Sequence, residues 1–265
     1  MTTKFCLASD IHLDFGSLVL DNTENADCLI LAGDIVQFSD LRVKDVTIFN
    51  WIDEFFKNIS DQFKQVVWVP GNHEWYEGTL GKTINQARIY LEKNGWGNIR
   101  ILDNESIIIN DVPIHGTTLW TSMNNANPLA LFVARQEMSD YKYIQKIYKD
   151  IEVMLQPVDT VDLHFEAVEY LKKALANNKA PTVVVTHHGP LKQCDSIVGS
   201  LHPAYTTDLS ELILDNPHIH TWVFGHVHNR KIIECGNTKV ISNCRGYKKY
   251  EAEFEKTFKP FYFEV

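Results

Sequence analysis

Five short apolar runs stand out along the chain, and each is followed at once by polar residues. The runs are KFCLAS from residue 4, DCLILA from residue 27, QVVWVP from residue 65, TVVVT from residue 182 and HTWVF from residue 220. Continuous apolar runs of this length are typical of parallel strands that are buried on both faces. The pattern therefore predicts five such strands, each ending in a loop with polar side chains.

Between these strands, apolar residues recur every three or four positions, which is the spacing of amphipathic helices. Residues 98–116 instead alternate like a meander of short strands around Asn110-Asp111, and further strands are predicted in RKIIEC, KVISNC and FYFEV. Strands that alternate with helices favour an α/β fold. The predicted helices cover residues 43–59, 82–93, 162–177 and 210–214.

The periodicity becomes irregular between residues 117 and 157. This stretch has an Asn-rich turn, a predicted helix over 129–138 and an aromatic and basic segment that begins at Asp140. We expect residues 117–157 to be an insertion that lies over the mouth of the site. Residues 1–265 contain no internal repeat or linker, so the sequence predicts a single domain.

Composition narrows the class of protein. Of the 265 residues, 45% are hydrophobic and 22% charged, as in ordinary soluble proteins, and the net charge of −9 disfavours binding to nucleic acid. Five scattered cysteines without a CxxC pair indicate a reducing, cytoplasmic setting. The first strand begins almost at once, so we expect no signal peptide. No apolar run approaches the roughly 20 residues of a membrane span, so no membrane partner is expected.

The polar residues behind the five strands are of the types that bind divalent metals. Asp10 and His12 are two positions apart in extended chain, so their side chains point the same way. Asp34 has two carboxylate oxygens and can bridge two ions, while Asn72 offers a neutral oxygen. Coordination spheres that combine these oxygens with imidazole nitrogens suit Mn, Fe, Zn or Ni rather than Ca. The candidate imidazole ligands are His187, His226 and His228.

Each motif alone is more often a loop, a turn or a capping pair than part of a catalytic site. Their conjunction resembles the calcineurin-like metallophosphoesterases, whose pattern runs D-x-H, G-D, G-N-H-[DE], H, G-H-x-H. The resemblance covers nearly the whole chain and implies a four-layer α/β/β/α sandwich with two metal sites at the strand ends. It implies that one metal is held by Asp10, His12, Asp34 and His228, and the other by Asp34, Asn72, His187 and His226.

The same resemblance implies in-line attack on phosphorus by a hydroxide that bridges the metals. His73 resembles the family's non-ligand histidine, which is placed to act as a general acid or as a donor to a phosphoryl oxygen. The alternative is that His73 only orients Asn72. Glu74 is interpreted as a partner of the ligands rather than as a ligand. The predicted catalytic residues are thus His73 and Asp34, with two divalent transition-metal ions as cofactors and Mn favoured.

Further segments resemble a compact bacterial and bacteriophage branch of the family, namely S-D-I-H-L-D-F, G-T-T-L-W-T, T-H-H-G-P, A-Y-T-T-D-L and C-R-G-Y. The chain lacks the arginine that follows G-D in protein Ser/Thr phosphatases. Gln37 and Phe38 stand where purple acid phosphatases need a metal-binding tyrosine. Double-strand-break nucleases share the S-D-x-H-L start but usually have G-N-H-D and long DNA-binding segments.

Four residues outside the motifs are candidates for the substrate pocket. Arg245 could hold a phosphate bidentately or pair with an acid at the surface. His188 could donate to the substrate or only pack, and Trp120 and Tyr205 could stack a nucleobase or lie in the core. We expect a phosphodiesterase for a small diester or nucleotide-like substrate. The alternatives are a phosphomonoesterase for a nucleotide, sugar or phosphopeptide, a nuclease, and a catalytically silent scaffold.

Overall fold

The fold is described by a computed structural model over residues 2–42, 45–177, 179–195, 199–248, 250–251 and 257–265. The strands in these ranges are β1 (Lys4–Ala8), β2 (Cys28–Ala32), β3 (Gln65–Val69), β4 (Gly78–Thr79), β5 (Ile99–Ile101), β6 (Glu105–Ile109), β7 (Val112–Thr117), β8 (Ile144–Tyr148), β9 (Ile151–Met154), β10 (Thr182–Thr186), β11 (Ile219–Phe224), β12 (Arg230–Cys235), β13 (Thr238–Asn243) and β14 (Phe261–Glu264). The helices are α1 (Val46–Gln62), α2 (Thr83–Lys93), the single turn α3 (Met123–Ala126), α4 (Pro128–Glu137), α5 (Asp140–Tyr143), α6 (Pro157–Asn177) and α7 (Ser210–Leu214).

Two mixed sheets contain the five predicted strands. The first sheet has the order β14-β1-β2-β3-β5, and all its neighbours except β14 and β1 run parallel. The second has the order β12-β13-β11-β10-β7-β6, with parallel pairing in the centre and antiparallel pairing at both edges. The parallel strands β1, β2 and β3 lie in one sheet, and β10 and β11 lie in the other.

The two sheets pack face to face and carry helices on their outer faces. Ile30 of β2 and Val185 of β10 share the core between the sheets. Trp68 of β3 packs with residues of α1 and α2 on one outer side, while Trp222 of β11 packs with Leu171 of α6 on the other. This arrangement confirms the expected four-layer α/β/β/α sandwich.

The helices match the prediction, with shifts at their ends. The expected start at Val43 lies outside the described residues, and α1 is seen from Val46, where the side chain of Asp45 accepts from two backbone N–H groups. α6 begins at Pro157, five residues before the predicted start at 162. Proline is well suited to the first helical turn, because its missing N–H would have no partner there.

The predicted insertion is more regular than its sequence suggests. After α4 and α5, the strands β8 and β9 form an antiparallel hairpin. Its turn at Lys149 and Asp150 has φ values of 49° and 65° but lacks the glycine that marks such turns. β8 also pairs with β4, which ties the insertion to the residues that follow the third motif. In the part of the chain described, no helix is long and apolar enough to cross a membrane.

Candidate metal centre

The polar motifs converge because the parallel strands β1, β2, β3, β10 and β11 end on the same side of the molecule. All predicted ligands are buried except His228, whose side chain is 14% exposed. The buried set comprises Asp10, His12, Asp34, Asn72, His187 and His226.

Asp10, His12 and His228 form the first group of donor atoms. Their ligand atoms all lie within 4.8 Å of one another. His228 Nε2 is 3.5 Å from Asp10 Oδ1 and 3.2 Å from His12 Nε2. His12 Nε2 is also 3.8 Å from Asp34 Oδ2, so the first group adjoins the second.

Asp34, His187 and His226 form the second group, again within 4.8 Å. His187 Nε2 is 3.3 Å from Asp34 Oδ1 and 3.0 Å from Asn72 Oδ1. Asp34 therefore presents one carboxylate oxygen to each group, which is the geometry that a bridging ligand requires. His73 lies at the edge, with Nε2 3.9 Å from Asp34 Oδ2.

The backbone is strained at five of the candidate ligands. Asp10, His12, Asp34, His226 and His228 have φ between 47° and 69°, in the left-handed region. This region costs about 1–2 kcal/mol for residues with a Cβ, and such strain concentrates at functional sites. The chain turns sharply at these positions, and the turns direct the side chains to one point.

Glycines beside the ligands keep the space open. A Cβ added to Gly33 would collide with the His187 ring, and one added to Gly71 would collide with the Asp34 carboxylate. Gly33 also has a φ of 86°, which favours glycine. Any larger residue at these two positions would displace a donor group.

Burial and mutual charge set the protonation of the centre. Burial, with the neighbouring histidines, lowers the pKa of His12 and His226 well below the usual value. Although burial opposes it, the adjacent His187 and His73 hold the pKa of Asp34 well below its usual range. Asp34 in turn overcomes burial and raises the pKa of His187 to about 10. Neutral imidazoles and an ionised carboxylate are ligating forms, and a metal would displace the proton of His187.

These groups fit a divalent transition metal. Nε2 of His226 is buried and has no hydrogen-bond partner among the described residues, whereas a buried polar nitrogen normally has one. A cation between His226, His187 and Asp34 would satisfy it. Imidazole nitrogens mixed with carboxylate and amide oxygens are the donor set of Mn, Fe, Zn and Ni sites.

Glu74 joins two of the motif loops. Its fully buried carboxylate accepts the backbone N–H groups of Asp34, Ile35 and Gly71 at 2.6–2.8 Å and the indole N–H of Trp68 at 3.2 Å. Burial, with the nearby charge of Asp34, raises the pKa of Glu74, and the N–H donors work in the opposite direction. Glu74 thus holds the loop that carries Asp34 against the loop that carries the third motif.

A cavity of about 370 Å³ opens at the centre. Glu137, Met138 and Ser139, which lie within residues 117–157, form part of its wall. A larger cavity of about 630 Å³ lies beside α6 and shares none of these lining residues. The cavity at the centre is lined by Asp34, Asn72, His73, Tyr76, Glu137, Met138, Ser139, Tyr205, His226, Val227, His228, Tyr247 and Glu251.

A family comparison agrees with this geometry. Residues 3–230 match the family model described as calcineurin-like phosphoesterase. The chain belongs to this family. Calcineurin-like phosphoesterases are metal-dependent phosphoester hydrolases, and their motifs are the ones that meet at the centre described above.

One curated protein is similar to this chain in sequence, and solved structures are similar to it in fold. Uncharacterized protein L509 of Acanthamoeba polyphaga mimivirus is 26% identical over 240 residues, covering 85% of this chain and 80% of the viral protein. Phosphopantetheinyl hydrolase (PptH) from Mycobacterium tuberculosis is 17% identical, with a TM-score of 0.68 and coverage of 99% and 96%. GAP50, the anchor in the inner membrane complex of Plasmodium, is 17% identical, with a TM-score of 0.50 and coverage of 92% and 72%.

Three of the four residues predicted for the substrate pocket of this phosphoesterase lie elsewhere, and Arg245 is the clearest correction. It is 2% exposed and is not among the residues that line the cavity. Its guanidinium donates to the carbonyl oxygens of Ile11, Gly16 and Ser17 at 2.9–3.0 Å. Arg245 therefore fixes the loop that follows the first motif, and the phosphate-clamp prediction is wrong.

His188 and Trp120 are also buried, and neither is among the residues that line the cavity. The Trp120 ring lies 5.1 Å from the His188 ring, which lies 4.2 Å from that of His226. Burial, with the charge of His187, lowers the pKa of His188 to about 3, so it packs as a neutral ring. Tyr205 does line the cavity, 4.8 Å from the His226 ring, and it remains a candidate.

The sequence interpretation missed two residues of the C-terminal segment. The Tyr247 hydroxyl is 3.2 Å from His73 Nε2, and its ring lies 4.4 Å from that of His12. Glu251 accepts from His228 Nδ1 at 2.8 Å and from the backbone N–H of Tyr247 at 2.7 Å. The C-R-G-Y segment was the one signal that pointed to Tyr247.

Proposed function

We propose that this chain is a two-metal phosphoesterase that hydrolyses a small phosphodiester or nucleotide-like substrate. The charge of the residues that line the cavity is the observation that favours a diester substrate over a monoester. Its lining includes the carboxylates of Asp34, Glu137 and Glu251 but no lysine or arginine among the described residues. A phosphomonoester carries about −1.5 to −2 charge near neutral pH and is commonly clamped by arginine. A diester carries a single negative charge and needs no such clamp.

We propose that the two groups of donor atoms each hold one ion, with Mn²⁺ favoured and Fe, Zn or Ni as alternatives. Two such ions, when bound, lower the pKa of a coordinated water and neutralise charge on the phosphoryl oxygens. The first ion would be held by Asp10, His12, Asp34 and His228, and the second by Asp34, Asn72, His187 and His226.

His73 is proposed as the residue that moves a proton. Its Nε2 faces the cavity, near Asp34 Oδ2 and the Tyr247 hydroxyl. A protonated Nε2 at this place can donate to the leaving oxygen as the ester bond breaks. The Tyr76 ring stacks on His73 at 4.3 Å and holds the imidazole in one orientation.

The rest of the substrate is proposed to lie against aromatic rings. Tyr76, Tyr205 and Tyr247 all line the cavity. Aromatic faces stack nucleobases without regard to sequence, so a nucleotide-like group fits this wall. The acidic chain, with its net charge of −9, makes a long polyanion the less favoured substrate.

We also propose that the chain works as one domain in the cytoplasm, with residues 117–157 as an insertion over the active site. Cys6, Cys28, Cys194 and Cys244 are buried free thiols, which suits a reducing compartment.

The proposal is tested by comparing hydrolysis of bis-p-nitrophenyl phosphate and p-nitrophenyl phosphate by the Mn²⁺-loaded protein, with Asp34→Asn as the background. We expect the diester to be hydrolysed with the higher kcat/KM. Faster hydrolysis of the monoester would show that the enzyme is a phosphomonoesterase instead of a phosphodiesterase. Protein that neither hydrolyses these esters nor gains thermal stability with Mn²⁺ would point to a silent scaffold. Cleavage of single-stranded DNA above the diester rate would point to a nuclease.

A further inference from the structure

Asp140 is a buried carboxylate that lies beside the candidate metal centre but comes from the insertion. It is 1% exposed. Its Oδ1 accepts two hydrogen bonds, from Asn72 Nδ2 at 2.7 Å and from the Tyr76 hydroxyl at 3.0 Å. Asp140 belongs to none of the five motifs, and the proposed mechanism gives it no part.

The contact with Asp140 selects one orientation of the Asn72 amide. The two ends of an asparagine amide have similar size and opposite hydrogen-bonding character, and only the oxygen can ligate a cation. Asp140 Oδ1 accepts both of its hydrogen bonds, so it takes the NH₂ end of the Asn72 amide. The amide oxygen is left facing the centre, where it lies 3.0 Å from His187 Nε2.

Backbone hydrogen bonds keep the insertion segment in place. The N–H of Glu77 donates to the carbonyl of Tyr143 at 2.8 Å, and the N–H of Leu80 donates to the carbonyl of Gln145 at 2.9 Å. These bonds flank the parallel pairing of β4 with β8. They join the chain just after the third motif to the chain just after Asp140, so the carboxylate cannot easily move away from the amide.

We propose that Asp140 is a positioning residue for the second metal site. By accepting from the NH₂ group of Asn72, it turns the amide oxygen toward the second ion. Removal of such a partner of a ligand typically lowers metal affinity by about 10- to 100-fold. This inference rests on the proposed two-metal function, and it gives the insertion a part in metal binding beyond covering the cavity.

The test is to measure Mn²⁺ binding to the metal-free protein by isothermal titration calorimetry. In Asp140→Asn the new amide can donate as well as accept, so the Asn72 amide is no longer forced into one orientation. We expect one of the two ions to bind about 10- to 100-fold more weakly, with the other unchanged. Asp150→Asn makes the same chemical change in the exposed β8-β9 turn and should bind both ions like the wild type.

An exchange variant separates amide orientation from any folding defect. Asn72→Asp combined with Asp140→Asn keeps one carboxylate and one amide in contact, and it presents an oxygen to the ion in either orientation. We expect this variant to regain the lost affinity, even where Asp140→Asn alone folds poorly. The melting temperatures of the metal-free proteins report on folding.

Three outcomes would overturn the role of Asp140. They are wild-type affinity for both ions in Asp140→Asn, equal weakening of both ions in that variant, and an exchange variant that does not recover the second ion. A wild-type protein that binds no pair of Mn²⁺ ions contradicts the proposed function itself. The two failures are therefore distinguishable.

Discussion

Replacement of Glu74 by glutamine should destabilise the protein even without metal. The carboxylate accepts four N–H groups, two on each oxygen. Glutamine offers one oxygen and one NH₂ group, so two of these buried donors lose their acceptor. Each unsatisfied buried donor costs about 1–3 kcal/mol, so the expected loss is about 2–6 kcal/mol. With an unfolding entropy of about 2.1 cal/mol/K per residue over 265 residues, this loss corresponds to a melting temperature roughly 4–11 °C lower.

The assay is thermal unfolding by circular dichroism in EDTA at pH 8, above the value of about 7 to which burial raises the pKa of Glu74. Chelation removes any contribution from bound metal, so the result reports on the hydrogen bonds alone. Glu166→Gln on the exposed side of α6 is the matched control, and it should change stability by less than about 0.5 kcal/mol. A Glu74→Gln melting temperature within about 1 °C of the wild type, less than 1 kcal/mol by the same conversion, would refute this reasoning.

Three further predictions concern other parts of the molecule. His73→Ala should lower kcat by about 10²–10⁴-fold while elemental analysis finds unchanged metal. Loss of metal would contradict the proton-transfer role and show that His73 binds the metal or orients a ligand such as Asn72. Arg245→Lys should lower the free energy of unfolding, measured in urea, by about 2–4 kcal/mol, because lysine cannot donate to three carbonyl groups at once. A raised KM with unchanged stability would instead support a phosphate clamp at Arg245. Burial, with the charge of His218, lowers the pKa of His115 in the folded protein to about 4. As pH falls, His115 is therefore protonated in the unfolded chain before it is protonated in the folded protein. Wild-type stability should therefore decline between about pH 6.5 and 4, by on the order of 1–3 kcal/mol more than in His115→Asn, and parallel pH profiles would contradict this.

The strands and the candidate ligands could be predicted because both are encoded locally. Each motif follows directly on a continuous apolar run, and parallel strands deliver their carboxyl ends to one side of a sheet. Helix ends were less predictable, as with the start of α6 at Pro157, because the apolar spacing begins only after the first turn. The β8-β9 hairpin was missed because Lys149 and Asp150 adopt positive φ without a glycine.

The partners of the ligands could not be predicted, since tertiary structure alone brings them together. Asp140 is 68 residues from Asn72, and neither position has a spacing that indicates the contact. An arginine after a core strand has the same sequence pattern whether it binds phosphate or backbone. For Arg245, burial and the nearby carbonyl groups decided between the two, and both depend on the packing of the loop after β1.

The left-handed backbone at the candidate ligands has an evolutionary consequence. Glycine adopts this conformation without the Cβ penalty, although it loses more freedom on folding. Replacing His12 or His228 by glycine would therefore relieve backbone strain in the loop and also remove a candidate metal ligand. Drift under selection for stability alone would erode the metal centre, and a lineage that no longer hydrolysed phosphoesters would lose these histidines early.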